Sequence, residues 1–150
     1  MNFKFFQTPT PQLIQEYAKN TLAEHIGIEF LEVGDNYLTG RMPVDNRTCQ
    51  PMGLLHGGAN LVFAETLGSI AGYLMLNPKE KSCVGLEINA NHLKPVKEGW
   101  VYGKAIPFHI GQNTHVWEIK VTNEAGELTC ISRLTLAILH QPAILKGRIP

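Results

Sequence analysis

The stretch Gln50-Pro-Met-Gly-Leu-Leu-His-Gly-Gly-Ala-Asn-Leu-Val-Phe-Ala-Glu-Thr-Leu-Gly-Ser-Ile-Ala-Gly-Tyr-Leu-Met-Leu76 decides how this chain folds. It opens as a loop broken by Pro51 and Gly53, passes through His56-Gly57-Gly58, and then reads as a helix to Leu76. Nearly every position in that run is apolar or small, on all sides of the helix. A helix that is hydrophobic all round is buried, in a large core or in a membrane. Asn60, Glu65, Thr66 and Ser69 are the exceptions. An ionised carboxylate in such a helix is costly unless something compensates it, so Glu65 is the residue to explain.

Three readings compete for Glu65. It is a structural carboxylate bonded to backbone donors, or part of a transmembrane span, or a reacting group. The span is disfavoured, because a mid-span acid costs roughly 2.5–3.5 kcal/mol on insertion scales and the run is diluted by Gly68 and Gly72. Strand-like sequence also follows it directly. The reacting-group reading rests on Ser69, one turn on and on the same face. Gly68 and Gly72 beside the pair suggest close approach by a substrate or another backbone, with Phe63, Leu67, Ile70 and Leu74 on the opposite face.

The chain has 150 residues and reads as one domain over 1–150. Its formal net charge is zero, with no basic run, so nucleic acid is not favoured as a partner. Cys49, Cys83 and Cys130 form no CxxC pair and leave an odd thiol, which suits a reducing cytoplasm. The start, Met1-Asn-Phe-Lys-Phe-Phe6, lacks a long apolar leader core, and the chain is expected to be cytoplasmic and not membrane-bound.

Outward from the central helix, Thr10-Pro11 is a cap followed by Pro at the first helical position, predicting one short helix over 11–24. Ile26 to Val33 and Tyr37 to Pro43 read as strands around Gly34-Asp35-Asn36, and Asp45 to Leu55 as a loop. Beyond the helix, Val84, Leu86, Ile88 and Ala90 alternate with Gly85, Glu87, Asn89 and Asn91 as a half-buried strand. Strands around Trp100–Phe108, His115–Val121 and Leu128–His140 follow, and 141–150 reads as a loose tail. Four closely connected strands predict an antiparallel meander. The fold class is therefore α+β, a curved antiparallel sheet wrapped around a long central helix.

That architecture, with Leu55-His-Gly-Gly58 opening the helix and Ala64-Glu-Thr-Leu-Gly-Ser69 inside it, resembles the hotdog-fold acyl-CoA thioesterases. The similar branch includes a type of 4-hydroxybenzoyl-CoA thioesterase, the dihydroxynaphthoyl-CoA thioesterase of menaquinone synthesis and the proofreading thioesterase of enterobactin synthesis. The likeness runs from about His25 to His140. It also includes Met42-Pro-Val-Asp-Asn-Arg-Thr48, Gln50-Pro51, Asn91-His-Leu-Lys-Pro-Val96 and Ser132-Arg-Leu-Thr135.

The resemblance implies that Glu65 attacks an acyl thioester or activates the water that does. It implies that Gln50 positions the reactants, that Ser69 helps hold the water, that His56 lies beside the thioester, and that the Gly57 N–H polarises its carbonyl. Gly85, His92, Lys94, Pro95, Gly111 and Gln112 match regions that contact the CoA arm, and Met52, Ile70 and Tyr73 match the acyl side. At Gln112 and Lys94 relatives often carry Arg, so a point charge stands at Lys94 in place of a bidentate phosphate clamp. No cofactor and no metal is implied. The partners implied are acyl-CoA or an acylated carrier protein, and a second copy of the chain, with dimers pairing as a homotetramer.

Elementary chemistry supports the same residues. Thioester cleavage places negative charge on the carbonyl oxygen, and the first N–H groups of a helix favour an anion there. Gly57 and Glu65 lie about 12 Å apart along one helix, too far to serve one carbonyl, so the site is expected to be shared by two antiparallel copies. Other readings are plainer. His56 caps the helix, and His25, His109, His115 and His140 have no metal spacing and read as surface or strand residues. Cys49 lacks an activating partner, Trp100 and Trp117 read as core or interface, and Asp45, Asn46 and Arg47 as loop-ordering residues. Two rival functions remain: an acyl-thioester hydratase or dehydratase on the same fold, whose His and carboxylate motifs are missing here, and a non-catalytic acyl-CoA-binding protein.

Overall fold

The central helix α3 spans Gly57–Leu74 and ends two residues before the predicted Leu76, with Met75 as its C-cap ahead of Asn77-Pro78. A computed structural model of the chain describes residues 3–140, and the expected tail at 141–150 lies outside them. One face of α3 is buried, through Asn60, Phe63, Ala64, Leu67, Gly68, Ala71, Gly72 and Leu74. Val62, Glu65, Thr66, Ser69, Ile70 and Tyr73 are only half-buried. The helix is therefore not enclosed on all sides within one chain, and Ile70 leaves the core face assigned to it. Gly68 and Gly72 also face the sheet. A Cβ on Gly68 would stand 2.6 Å from Leu134, so the closely approaching neighbour there is protein.

Six antiparallel strands curl around that face: β1 (Glu29–Val33), β2 (Leu38–Pro43), β3 (Ser82–His92), β4 (Trp100–Ile110), β5 (Thr114–Asn123) and β6 (Leu128–Leu139). Alternation along them sends Leu38, Met42, Val101, Ala105, Trp117, Ile119, Val121, Leu134 and Leu136 into the core, all essentially inaccessible. The order is β1-β2-β4-β5-β6-β3, which corrects the four-strand meander. Only β4, β5 and β6 meander. β3 lies at the far edge against β6, from Ser82 opposite Leu139 to His92 opposite Cys130.

The chain from β3 to β4 is too long for a tight hairpin, and Pro95 within it cannot donate to a ladder. It crosses the end of the sheet instead. Leu93 N–H bonds Thr129 O at 2.7 Å, Leu55 N–H bonds Val96 O at 2.8 Å, and Val44 N–H bonds Gly99 O at 2.9 Å. The edge position and a register shift between Gly85 and Glu87 also undo the predicted alternation of β3. Val84 and Leu86 are exposed, and Ile88 and Ala90 are half-buried.

The predicted helix over 11–24 is two pieces, α1 (Pro11–Tyr17) and α2 (Leu22–His25). Thr10 Oγ1 caps α1 by accepting from Leu13 N–H, and Asn20, at φ 58°, turns the chain between the pieces. Gln15 fastens α1 to the sheet, donating to Ile28 O and accepting from Phe30 N–H, both at 3.1 Å. Among the described residues no helix is long and apolar enough to cross a membrane.

His115, expected among surface or strand histidines, is a strand residue but sits at 1% exposure, its Nδ1 without a partner. Burial, with smaller contributions from His109 and Lys81, pushes its pKa down to about 4. The ring is neutral in the folded protein and takes a proton more readily when unfolded. Its contribution is therefore present above the unfolded value near 6.5 and is lost as pH falls from there toward 4. The loss at the bottom of that window is at most about 3 kcal/mol. Urea unfolding at pH 7.5, 6 and 5 should show the decline in the wild type and a flatter profile in His115→Leu. Equal slopes would remove His115 as the cause.

Candidate active site

The loop before α3 folds into a closed turn that sets the helix start. Arg47 pairs with Asp45 at 2.6 Å, Thr48 Oγ1 donates to Pro43 O at 2.7 Å, and Cys49 bridges to Leu55. Gln50 N–H bonds Leu54 O at 2.8 Å, Gly53 N–H bonds Gln50 O at 2.9 Å, and His56 N–H returns to Thr48 O at 2.8 Å. Gln50 Oε1 accepts from the Met52 N–H of the same turn. The side-chain carbonyl is held there, which leaves the amide nitrogen as its free donor.

His56 is the N-cap, with extended ψ 133°, and its Nδ1 accepts from Gly58 N–H at 2.7 Å. The neutral ring therefore carries its proton on Nε2. Gly58 is thus occupied, while no described group accepts from the Gly57 N–H. That N–H is the free donor at the positive end of an 18-residue helix. His92, from the end of β3, lies over the same glycine. Its Nε2 is 2.8 Å from where a Gly57 Cβ would be, so a side chain at Gly57 would displace the ring. Asn60, 6% exposed, places its amide nitrogen 3.3 Å from His92 Nδ1. With Asn60 donating, the His92 proton sits on Nε2, the atom facing Gly57.

A second group of residues stands further along α3. Glu65 is half-buried, and its Oε1 rests on Gly85 of β3 so closely that a Cβ there would collide with it. Among the described residues none donates a hydrogen bond to this carboxylate, which rules out, within one chain, a carboxylate satisfied by backbone donors. Ser69 follows one turn later, its carbonyl 3.9 Å from the Cys83 sulfur. Burial pushes the Cys83 thiol up to about 11, so it stays protonated. His56, Gly57, Asn60 and His92 thus form one cluster, with Gln50 in the loop that leads into it, and Glu65, Gly85 and Ser69 form another, about 12 Å further along the helix.

The remaining residues are spread more widely. Lys94 forms an exposed ion pair with Glu127 at 2.6 Å, which holds the Glu127 carboxyl below its usual range. Pro95 is exposed beside it. Gly111 N–H closes the β4–β5 turn onto Thr114 O at 2.9 Å, with Gln112 exposed at its tip. Met52 is 82% exposed on its loop, away from Ile70 and Tyr73. Those two line a cavity of about 540 Å³ between α3 and α1–α2, together with Ser69, Leu13, Tyr17 and Leu22. Sequence reasoning missed this wall, and Asn60 as the partner of His92. No local pattern signals either, because each depends on residues far apart in sequence. Among the described residues no group of three or more His, Cys, Asp or Glu is placed to hold a metal.

A six-stranded antiparallel sheet curled on one long helix, with a free N–H at the helix start and an acid inside it, is the hotdog arrangement of a thioesterase. The chain belongs to the thioesterase superfamily, whose family model matches residues 52–130. It is similar to the 1,4-dihydroxy-2-naphthoyl-CoA hydrolase of Escherichia coli, with 47% identity over 87% of this chain and 95% of that one. It is also similar to the proofreading thioesterase EntH of Cronobacter turicensis, with 46% identity over 87% and 94%. Among solved structures, thioesterase HI1161 from Haemophilus influenzae superposes with a TM-score of 0.87 at 42% identity, over 98% of this chain and 99% of that one. The protein is an enzyme, a hydrolase acting on thioester bonds.

Proposed function

We propose that this enzyme hydrolyses aryl or medium-chain acyl-CoA thioesters at a site built from two copies of the chain. The observation that carries the reading is the separation on α3 of a free N–H at Gly57 from an unpartnered carboxylate at Glu65. Each needs what the other supplies. In an antiparallel pair, one copy brings Gln50, His56 and Gly57 to the thioester, and the other brings Glu65 and Ser69. The Gly57 N–H and the helix dipole stabilise the oxyanion, and His92 Nε2–H lies beside it. Glu65 attacks the carbonyl carbon, or takes a proton from the water that attacks. By the first route the C–S bond breaks as an acyl–Glu65 anhydride forms. Water then hydrolyses the anhydride, freeing the acid and Glu65 and supplying the proton that the leaving thiolate takes up. By the second the water oxygen enters the acid directly as the C–S bond breaks, and the proton taken by Glu65 passes to the thiolate.

The position of Glu65 against β3, at the unpaired edge of the sheet, supports pairing of two sheets edge to edge. We further propose that two such dimers form a tetramer, and that the enzyme works in the cytoplasm, where three free thiols are stable. Among CoA-arm contacts, Lys94 reaches a phosphate only by leaving Glu127, so it steers more than it clamps. The name of the Escherichia coli relative favours a CoA thioester, and acylated carrier protein is the other donor to test. Thiol release from acetyl-, hexanoyl-, benzoyl- and naphthoyl-CoA and from acylated carrier protein decides the class. Acetyl-CoA as the best substrate, or, with an enoyl-CoA added to the panel, loss of its double bond without free thiol, would overturn the reading.

A further inference from the structure

The cavity of about 540 Å³ between α3 and the α1–α2 segment is large for a single chain of this size and is lined mainly by apolar side chains. One wall is Ser69, Ile70 and Tyr73 of α3, and the other is Leu13, Tyr17 and Leu22. Leu13 is 42% and Leu22 57% exposed, an apolar surface held open on the cavity side. Tyr17 of α1 and Tyr73 of α3 both line the cavity, and burial raises the Tyr73 phenol above its usual range.

The outer wall is fixed in place. Gln15 ties α1 to Ile28 and Phe30, and Phe6 N–H bonds Leu74 O at 2.8 Å at the end of α3. The cavity also opens in the right place. Thr66 and Ser69 line it, beside and one helical turn beyond Glu65, so the cavity begins next to the carboxylate and runs along Ile70 to Tyr73.

We propose that α1 and α2 form the outer wall of the acyl pocket, and that Leu13, Tyr17 and Leu22 set the size of acyl group the enzyme accepts. This rests on the thioesterase site proposed above. The occupant is the acyl portion of the substrate, an aromatic or medium-chain group. Leu and Ile contact its apolar body, while the Tyr17 and Tyr73 hydroxyls receive a polar ring substituent. An acetyl group leaves most of the volume unfilled and makes no use of the wall.

The test compares kcat/KM of the wild type, Leu13→Trp and Leu13→Ala across acetyl-, hexanoyl-, benzoyl- and naphthoyl-CoA. Leu13 is on the helix surface, so both variants preserve the core. Leu13→Trp narrows the cavity at its outer wall and should lower kcat/KM for naphthoyl-CoA by about 10-fold or more relative to acetyl-CoA. Leu13→Ala should shift the ratio toward the largest group. If the wild type hydrolyses the panel and both variants keep its profile, the wall inference fails and the active-site reading stands. That is also the result expected if a partner subunit fills the cavity. If the wild type hydrolyses none of the panel, the active-site reading fails and takes the wall with it.

Discussion

Glu65→Gln should give a folded protein that binds acyl-CoA but releases thiol about 10²–10⁴-fold more slowly. The change keeps the size of the side chain and its contact with Gly85, and it removes only the negative charge. No cation or donor among the described residues is lost with that charge, so the fold has little to lose. A partly buried carboxylate without partners destabilises the folded state, and the amide should leave stability equal or slightly higher. Activity and stability therefore move in different directions, which a structural role for Glu65 does not produce. Near-native thiol release from purified Glu65→Gln would sink the assignment.

Mixing two inactive proteins should restore activity. Gln50→Ala removes the positioning amide from the cluster at the start of α3, and Glu65→Ala removes the acid from the cluster in its middle. In a site shared across the dimer, a mixed pair contains one doubly damaged site and one intact site. Random refolding makes half of the dimers mixed, so recovery approaches about a quarter of wild-type thiol release. Gln50 also accepts from Met52 N–H, so each single variant must first be shown to dimerise. Confirmed mixed dimers without recovery would place both clusters in one subunit and contradict the 12 Å argument.

The sequence made the central helix, the loop before it and the strand segments legible, because each is written in local periodicity. Glu65 was singled out for the same reason: a charge in an apolar run needs no tertiary information to be conspicuous. What was not legible depends on contacts distant in sequence. The register of β3 against β6 rather than β4 follows from a crossing that only Pro95 and the length of the linker hint at. The break in 11–24 occurs at Asn20, which enters the left-handed region without a Gly or Pro to announce it. Apolarity on all sides predicts a fully enclosed helix, but Ser69 and Tyr73 face a cavity and Glu65 the sheet edge. Its apolarity serves the site as well as the core. The acyl wall was invisible because it brings Leu13 and Tyr17 against Tyr73, a juxtaposition no local pattern encodes.

The placement of β3 also sets when the contact between Glu65 and Gly85 can form during synthesis. β3 is made directly after α3, yet its ladder partner β6 is the last of the described strands to be made, and Ser82 waits for Leu139. Until then Gly85 has no framework to hold it against Glu65, and the strand that carries His92 to the helix start is unpaired. Such long-range pairing is slow and leaves Val84 and Leu86 open to unwanted contacts on a growing chain. A ribosome-bound chain can therefore assemble the β2-β4-β5 half around α3 first, while the reactive edge waits for the last strand. Premature termination before β6 leaves β3 without its ladder partner, so nothing holds Gly85 against Glu65.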